Sequence, residues 1–248
     1  KMPTRTELQT MRTVLGLSSG LYWSGDSVDA DNAYAVDMSD GSVWTKQKIQ
    51  TITRTLPTNM ARYTSQLYNG KIYMPSYGGT TMEVFDIATG TTTTITLPTN
   101  MSRYTSQLYN GKIYMPQNGG TTMEIFDIAT GTTTTVTLQT DMTRWTSQLY
   151  NGKIYMPRGY NGATMEIYDI ATGTTTTAKL SSYYMDRITS QLYNGKIYMP
   201  HRNGTTMEIY DIATGTTTTA TLSSYYMYRY TSQLYNGKIY IPGNGGTT

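Results

Sequence analysis

The chain has 248 residues, no cysteine, 14% charged side chains and a formal net charge of +3. A disulfide framework and any thiolate site are excluded, and the lack of a long basic run argues against a nucleic-acid partner. No apolar run approaches the roughly 18 residues of a membrane helix, so membrane insertion is not expected.

The chain begins Lys1-Met2, an unusual start that leaves room for sequence upstream, and no signal peptide is visible. Residues 4–10, Thr-Arg-Thr-Glu-Leu-Gln-Thr, match the later run 135–140 and are expected to form a strand that closes the fold from the N-terminal side. Residues 11–55 form a divergent first repeat. In it, Arg12 matches an arginine that precedes each later repeat, and 35–41 matches the later Val-Phe-Asp-Ile-Ala-Thr-Gly.

From residue 56 the copies are nearly identical. The twelve residues 64–75, Thr-Ser-Gln-Leu-Tyr-Asn-Gly-Lys-Ile-Tyr-Met-Pro, return at 105–116, 146–157 and 189–200, and again at 231–242 with Ile241 for Met. A second stretch, 82–94, recurs at 123–135, 165–177 and 207–219. The marker arginines Arg62, Arg103, Arg144, Arg187 and Arg229 step by 41, 41, 43 and 42 residues. Such a period belongs to propellers or helical arrays. Thr, Tyr, Ile and Val with Asn-Gly and Thr-Gly punctuation decide for strands.

Each repeat is expected to hold four strands. In the second good copy, strand A covers 104–109 and Asn110-Gly111 makes a two-residue turn with positive φ at both centres. Strand B covers 112–115 and stops at Pro116, which cannot donate into a ladder. Strand C covers 123–128, and the Thr-rich strand D runs from 132 to about 138, suited to an outer edge. Residues 229–248 supply only strands A and B of a closing blade, whose strand C would come from further chain, another chain, or not at all.

The recurring order of Arg, strand, Asn-Gly-Lys-Ile-Tyr, glycine pair, Glu-Ile-Tyr-Asp and Thr-Gly resembles the kelch repeat over nearly all of 11–248. It departs where Pro separates strand B from the glycines, and where Thr stands at the usual strand D Trp. The resemblance implies an all-β fold, a single β-propeller of four-stranded antiparallel blades. Six blades are expected, the last closed by strands from both termini. It also implies a partner-binding face. Copper radical oxidases on kelch-type propellers need two His ligands and a Cys–Tyr cross-link. The single His201 and the absent Cys exclude that chemistry.

Six arginines, Arg12, Arg62, Arg103, Arg144, Arg187 and Arg229, recur at the start of strand A and form a candidate anion ring at a channel mouth. The competing and stronger expectation is that they pair with the repeated Glu83, Glu124, Glu166 and Glu208. The repeated Met and strand B Tyr are read as packing. The copies differ at the B–C loops, the D–A loops and the residue after the marker Arg. This variation nominates Trp145, Arg158, Tyr160, Tyr183, Tyr184, Arg202, Tyr225, Tyr226 and Tyr228 as a partner-binding face, since Tyr, Trp and Arg are strong anchors.

The function expected from these observations is a non-enzymatic binding or structural module with no cofactor. It would bind a protein partner or assembly subunits in a surface or virion setting, outside the cytoplasm. Glycan binding is the alternative. An enzyme with a channel-mouth site, drawing on Asp141 and Asp186, is the third reading.

Overall fold

The computed structural model describes residues 4, 6–7, 9–10, 21–27, 32–37, 43–47, 56–57, 61–160, 162–181, 185–202, 204–222 and 230–242. The chain divides into two compact units, Lys1–Thr55 and Leu56–Thr248.

In the first unit, β1 (Leu21–Ser27), β2 (Asn32–Asp37) and β3 (Val43–Gln47) form an antiparallel meander. Among the described residues this divergent repeat therefore shows three strands rather than four. The expected closing strand at the N-terminus is corrected: Thr6, Glu7, Gln9 and Thr10 are helical. The reason is a capping box. The Thr4 amide donates to Glu7 Oε2 at 2.6 Å and the Glu7 amide donates to Thr4 Oγ1 at 3.2 Å. Thr10 Oγ1 then donates to the Thr6 carbonyl at 2.9 Å, one helical turn back.

Among its described residues the second unit holds four four-stranded antiparallel sheets in simple sequential order. The first comprises β4 (Gln66–Tyr68), β5 (Lys71–Pro75), β6 (Gly79–Asp86) and β7 (Thr92–Met101). The second comprises β8 (Gln107–Tyr109), β9 (Lys112–Pro116), β10 (Gly120–Asp127) and β11 (Thr132–Met142). The third comprises β12 (Gln148–Tyr150), β13 (Lys153–Pro157), β14 (Thr164–Asp169) and β15 (Thr174–Lys179). The fourth comprises β16 (Gln191–Tyr193), β17 (Lys196–Pro200), β18 (Thr206–Asp211) and β19 (Thr216–Thr221). A last pair, β20 (Gln233–Tyr235) and β21 (Lys238–Tyr240), stands as a two-stranded sheet. The described residues thus make six sheets, four of them complete four-stranded blades, one of three strands and one of two.

The turns are those the sequence dictates. Asn110 and Gly111 take φ of 46° and 70°, and the same pair repeats in every copy from Asn69-Gly70 to Asn236-Gly237. At the C–D turn the Asp127 carboxylate accepts from the amides of Ala129 and Thr130, and Lys112 holds its other oxygen at 2.9 Å. That lysine and those amides hold the Asp127 carboxyl below its ordinary range.

Blades join through their faces. Tyr73, Met82, Leu97 and Met101 of one blade pack with Ile113, Met115 and Phe126 of the next. Tyr114, Met123, Leu138 and Met142 pack with Ile154, Met156 and Tyr168 in the same way. Along the innermost strands, Thr105 Oγ1 meets Ser147 Oγ at 2.7 Å and Gln107 Nε2 donates to the Ser147 carbonyl at 2.9 Å. Equivalent bonds join Thr64 to Ser106, Thr146 to Ser190 and Thr189 to Ser232. Each blade is therefore fixed to its neighbour by Met-rich packing and by a polar seam.

Candidate functional site

Four marker arginines, Arg62, Arg103, Arg144 and Arg187, are internal struts. Arg103 is fully buried and pairs with fully buried Glu124 at 2.6 Å. Its guanidinium also donates to the carbonyls of Gly79 at 2.7 Å, Met101 at 3.1 Å and Thr99 at 2.7 Å. All three carbonyls belong to the preceding blade, whereas Glu124 belongs to the next. Arg144–Glu166 and Arg187–Glu208 repeat the arrangement at 2.6 and 2.7 Å, and Arg62 pairs with Glu83. The anion ring is corrected for these four: each guanidinium is held by a repeated glutamate, and those of Arg103, Arg144 and Arg187 by blade carbonyls as well. Arg12 and Arg229 lie outside the described residues.

What this strut positions is the next residue. Tyr63, Tyr104, Trp145, Ile188 and Tyr230, each directly after a marker arginine, line one cavity of about 450 Å³ together with Arg202. A cavity touched by the same position of five successive repeats lies where the blades converge. A fixed hydrogen bond brings the B–C loop to the same place. The amide of the second loop residue donates to the residue before the marker arginine, as Tyr77 to Ala61, Asn118 to Ser102, Gly159 to Thr143 and Arg202 to Asp186, at 2.8–3.0 Å. Each repeat thus ties a variable loop position to a variable cavity position, as Tyr77 with Tyr63, Asn118 with Tyr104, Gly159 with Trp145 and Arg202 with Ile188, and of these loop residues Arg202 lines the cavity itself. The glycine is needed where the partner is largest: a Cβ on Gly159 would lie 2.8 Å from the Trp145 indole.

The first two repeats build a tyrosine cluster. Tyr63 stacks on Tyr104 at 4.8 Å, and Tyr77 meets Tyr63 at 5.0 Å and Tyr104 at 4.8 Å. The Tyr77 and Tyr104 hydroxyls are hydrogen-bonded to each other, and Ser102 is a second partner of Tyr77. These bonds lower the Tyr77 pKa from that of an ordinary phenol. Tyr104 is pushed up to about 12, first by its bond to Tyr77 and then by burial. In the cavity wall, Arg202 Nη2 lies 3.1 Å from Asp186 Oδ2.

Of the residues singled out from sequence, the structure brings Trp145 and Arg202 to the cavity. Tyr160 lies beside it, its ring 6.2 Å from Trp145. Arg158 folds back on its own loop, with Nε donating to the Tyr160 carbonyl at 3.3 Å and its side chain over Gly162. His201 likewise lies over Gly204. Tyr183, Tyr184, Tyr225, Tyr226 and Tyr228 lie outside the described residues. Asp141 is exposed, whereas Asp186 reaches the cavity wall through Arg202. Tyr77 was not singled out from sequence. The signal that finds it is the register of the repeats, which aligns it with Asn118, Gly159 and Arg202. Among the described residues no three His, Asp or Glu side chains gather as a metal-ligand set.

A second cavity, of about 340 Å³, lies between two blades and is lined by Tyr150, Lys153, Tyr155 and Tyr210 among others. Its lining comes largely from positions that the repeats hold constant, as blade packing requires.

No protein-family model matches the chain, and no curated protein matches it in sequence. Solved structures match in fold. A streptogramin B lyase aligns with TM-score 0.66 and 16% identity over 91% of this chain and 74% of its own. A virginiamycin B lyase from Staphylococcus aureus aligns with TM-score 0.66 and 13% identity over the same shares. A computationally designed protein, Ika8, aligns with TM-score 0.57 and 15% identity over 93% of this chain and 67% of its own.

The fold is thus a β-propeller of four-stranded antiparallel blades. The kelch likeness is one of repeat pattern, with no family match behind it. The expectation of a non-enzymatic module is corrected by the lyases: enzymes are built on this same fold, with 91% of the chain aligned. Without a catalytic motif legible in sequence, the propeller alone is no argument against catalysis.

Proposed function

We propose that the protein is an enzyme of the lyase type, acting on a small aromatic compound held in the cavity where the blades converge. The observation that carries this reading is the Tyr77–Tyr104 pair. Two hydrogen-bonded phenols with pKa values pushed in opposite directions sit at the edge of an aromatic cavity. Titratable pairs driven apart by their surroundings are the physical signature of an assigned base and acid. The cavity has the size and apolar lining of a small-molecule site.

Tyr77, the phenol that ionises more readily, reacts as its phenolate, its own proton having gone to solvent, and takes the proton from the carbon next to an acyl group. The C–H electron pair becomes a new carbon–carbon double bond. The leaving oxygen departs and receives the Tyr104 proton. The proton on Tyr77 then returns to Tyr104 along the bond between them, which restores the pair. Arg202, which lines the same cavity, is the donor available to the acyl oxygen as charge develops on it. The solved lyases of this fold support the choice of elimination over hydrolysis.

The test is a kinetic screen of aromatic esters and depsipeptides, virginiamycin B included, followed by absorbance of the unsaturated product. Tyr77→Phe and Tyr104→Phe are each expected to lower kcat by about 10²- to 10⁴-fold with little change in KM. Full turnover in both variants overturns the assignment.

A further inference from the structure

The charge of the cavity wall names the ligand more narrowly, and the argument rests on the cavity being the substrate site. Five of the six lining residues, Tyr63, Tyr104, Trp145, Ile188 and Tyr230, present aromatic or aliphatic surface. The sixth, Arg202, is the only charged lining residue among those described. It is not a bare cation: Asp186 lies 3.1 Å from its Nη2 with only 13% of its own side chain exposed. The backbone locks the two together, since the Arg202 amide donates to the Asp186 carbonyl at 3.0 Å.

We propose that this site is selective for a neutral aromatic acyl compound, an ester or amide, over both its carboxylate and its amine counterparts. An anionic ligand approaching Arg202 meets the Asp186 carboxylate and gains little. A cationic ligand placed in the same cavity meets the guanidinium. A neutral carbonyl accepts a guanidinium N–H without disturbing the ion pair, while its ring lies against the tyrosines and Trp145. Asp186 is thus a specificity residue acting through Arg202. Ile188 marks the same subsite: four of the five equivalent positions carry a ring, and the one that does not stands in the repeat that supplies Arg202. The shorter side chain leaves the guanidinium reachable from the cavity.

Three probes of one skeleton test this: N-acetyl-phenylalanine amide, N-acetyl-phenylalanine and phenylalanine amide. Each is titrated against the full chain by tryptophan fluorescence, with Trp145→Phe as the control that assigns the signal to the cavity. The neutral probe is expected to bind about tenfold or more tightly than either ion, the scale of one charge contact partly shielded by water. In Asp186→Asn the carboxylate probe is expected to become the tightest, because the guanidinium then lacks its counterion. Equal affinity of the three probes, or an unchanged order in Asp186→Asn, overturns the charge selectivity and leaves the cavity as a site. Failure of all three probes to give a signal that depends on Trp145 overturns the cavity reading as well.

Discussion

Removing the glutamate from one internal strut tests whether the marker arginines serve the blades. In Glu166→Ala, the Arg144 guanidinium loses its counterion, while both side chains of the native pair are fully buried. The variant also strips the partner from the Gln139 amide and from Thr140 Oγ1, which bonds Glu166 at 2.9 Å. Breaking a buried pair from one side costs about 3–5 kcal/mol. For a unit of this size that lowers Tm by roughly 6–20 °C.

The double variant Arg144→Met/Glu166→Leu sharpens the argument. Replacing a whole buried pair by apolar groups is often neutral. Here Arg144 also donates to the carbonyls of Gln117 at 2.9 Å, Gly120 at 2.6 Å and Met142 at 3.2 Å, and to that of Thr140. The double variant is therefore expected to remain destabilised. Thermal and urea unfolding followed by circular dichroism supply the measurement. A Glu166→Ala loss below about 1 kcal/mol, the range of an exposed pair, would refute the account of the strut.

Gly152→Ala is expected to cost about 1–2 kcal/mol by urea unfolding, because its φ of 70° is left-handed and the added methyl meets nothing closer than Tyr109 Oη at 3.6 Å. Gly159→Ala is expected to push the Trp145 indole aside, shifting its fluorescence and weakening the neutral aromatic probe while leaving Tm nearly unchanged. On acidification, Asp86, Asp127, Asp169 and Asp211 give up stabilisation. Their folded pKa values lie below the ordinary carboxylate value, so the contribution is complete above about pH 4 and fades as pH falls through the folded values. Asp127→Asn should flatten that part of a Tm-against-pH curve.

The blades were legible because every local signal agreed. Asn-Gly set the A–B turn, Pro116 closed strand B, and the Thr run supplied the outer strand. The pairing of the marker arginines with the repeated glutamates was also legible, since charge repeated in every copy has to be neutralised in every copy. The helical turn near the N-terminus was misread because Thr4 to Thr10 shares its threonines with a strand. The capping signal from Thr4 to Glu7 is only four residues long. The site was half legible. Variation after the marker arginine pointed to Trp145, and variation in the B–C loop pointed to Arg202. The pairing of those two positions depends on one backbone hydrogen bond per repeat, and spacing alone does not reveal it. The place of Tyr77 beside Tyr104 is hidden in the sequence for that reason. The hydrogen bond that separates it from Tyr104 crosses from one blade to the next.

The most direct test of the central claim is a ¹³Cζ-tyrosine NMR titration of the native chain, with Tyr77→Phe and Tyr104→Phe used to assign the two resonances. The account predicts that Tyr77 ionises below the ordinary phenol value, that Tyr104 stays protonated to about 12, and that Tyr104→Phe returns Tyr77 toward 10. Two phenols that titrate together at the ordinary value, unaffected by each other's removal, would contradict it.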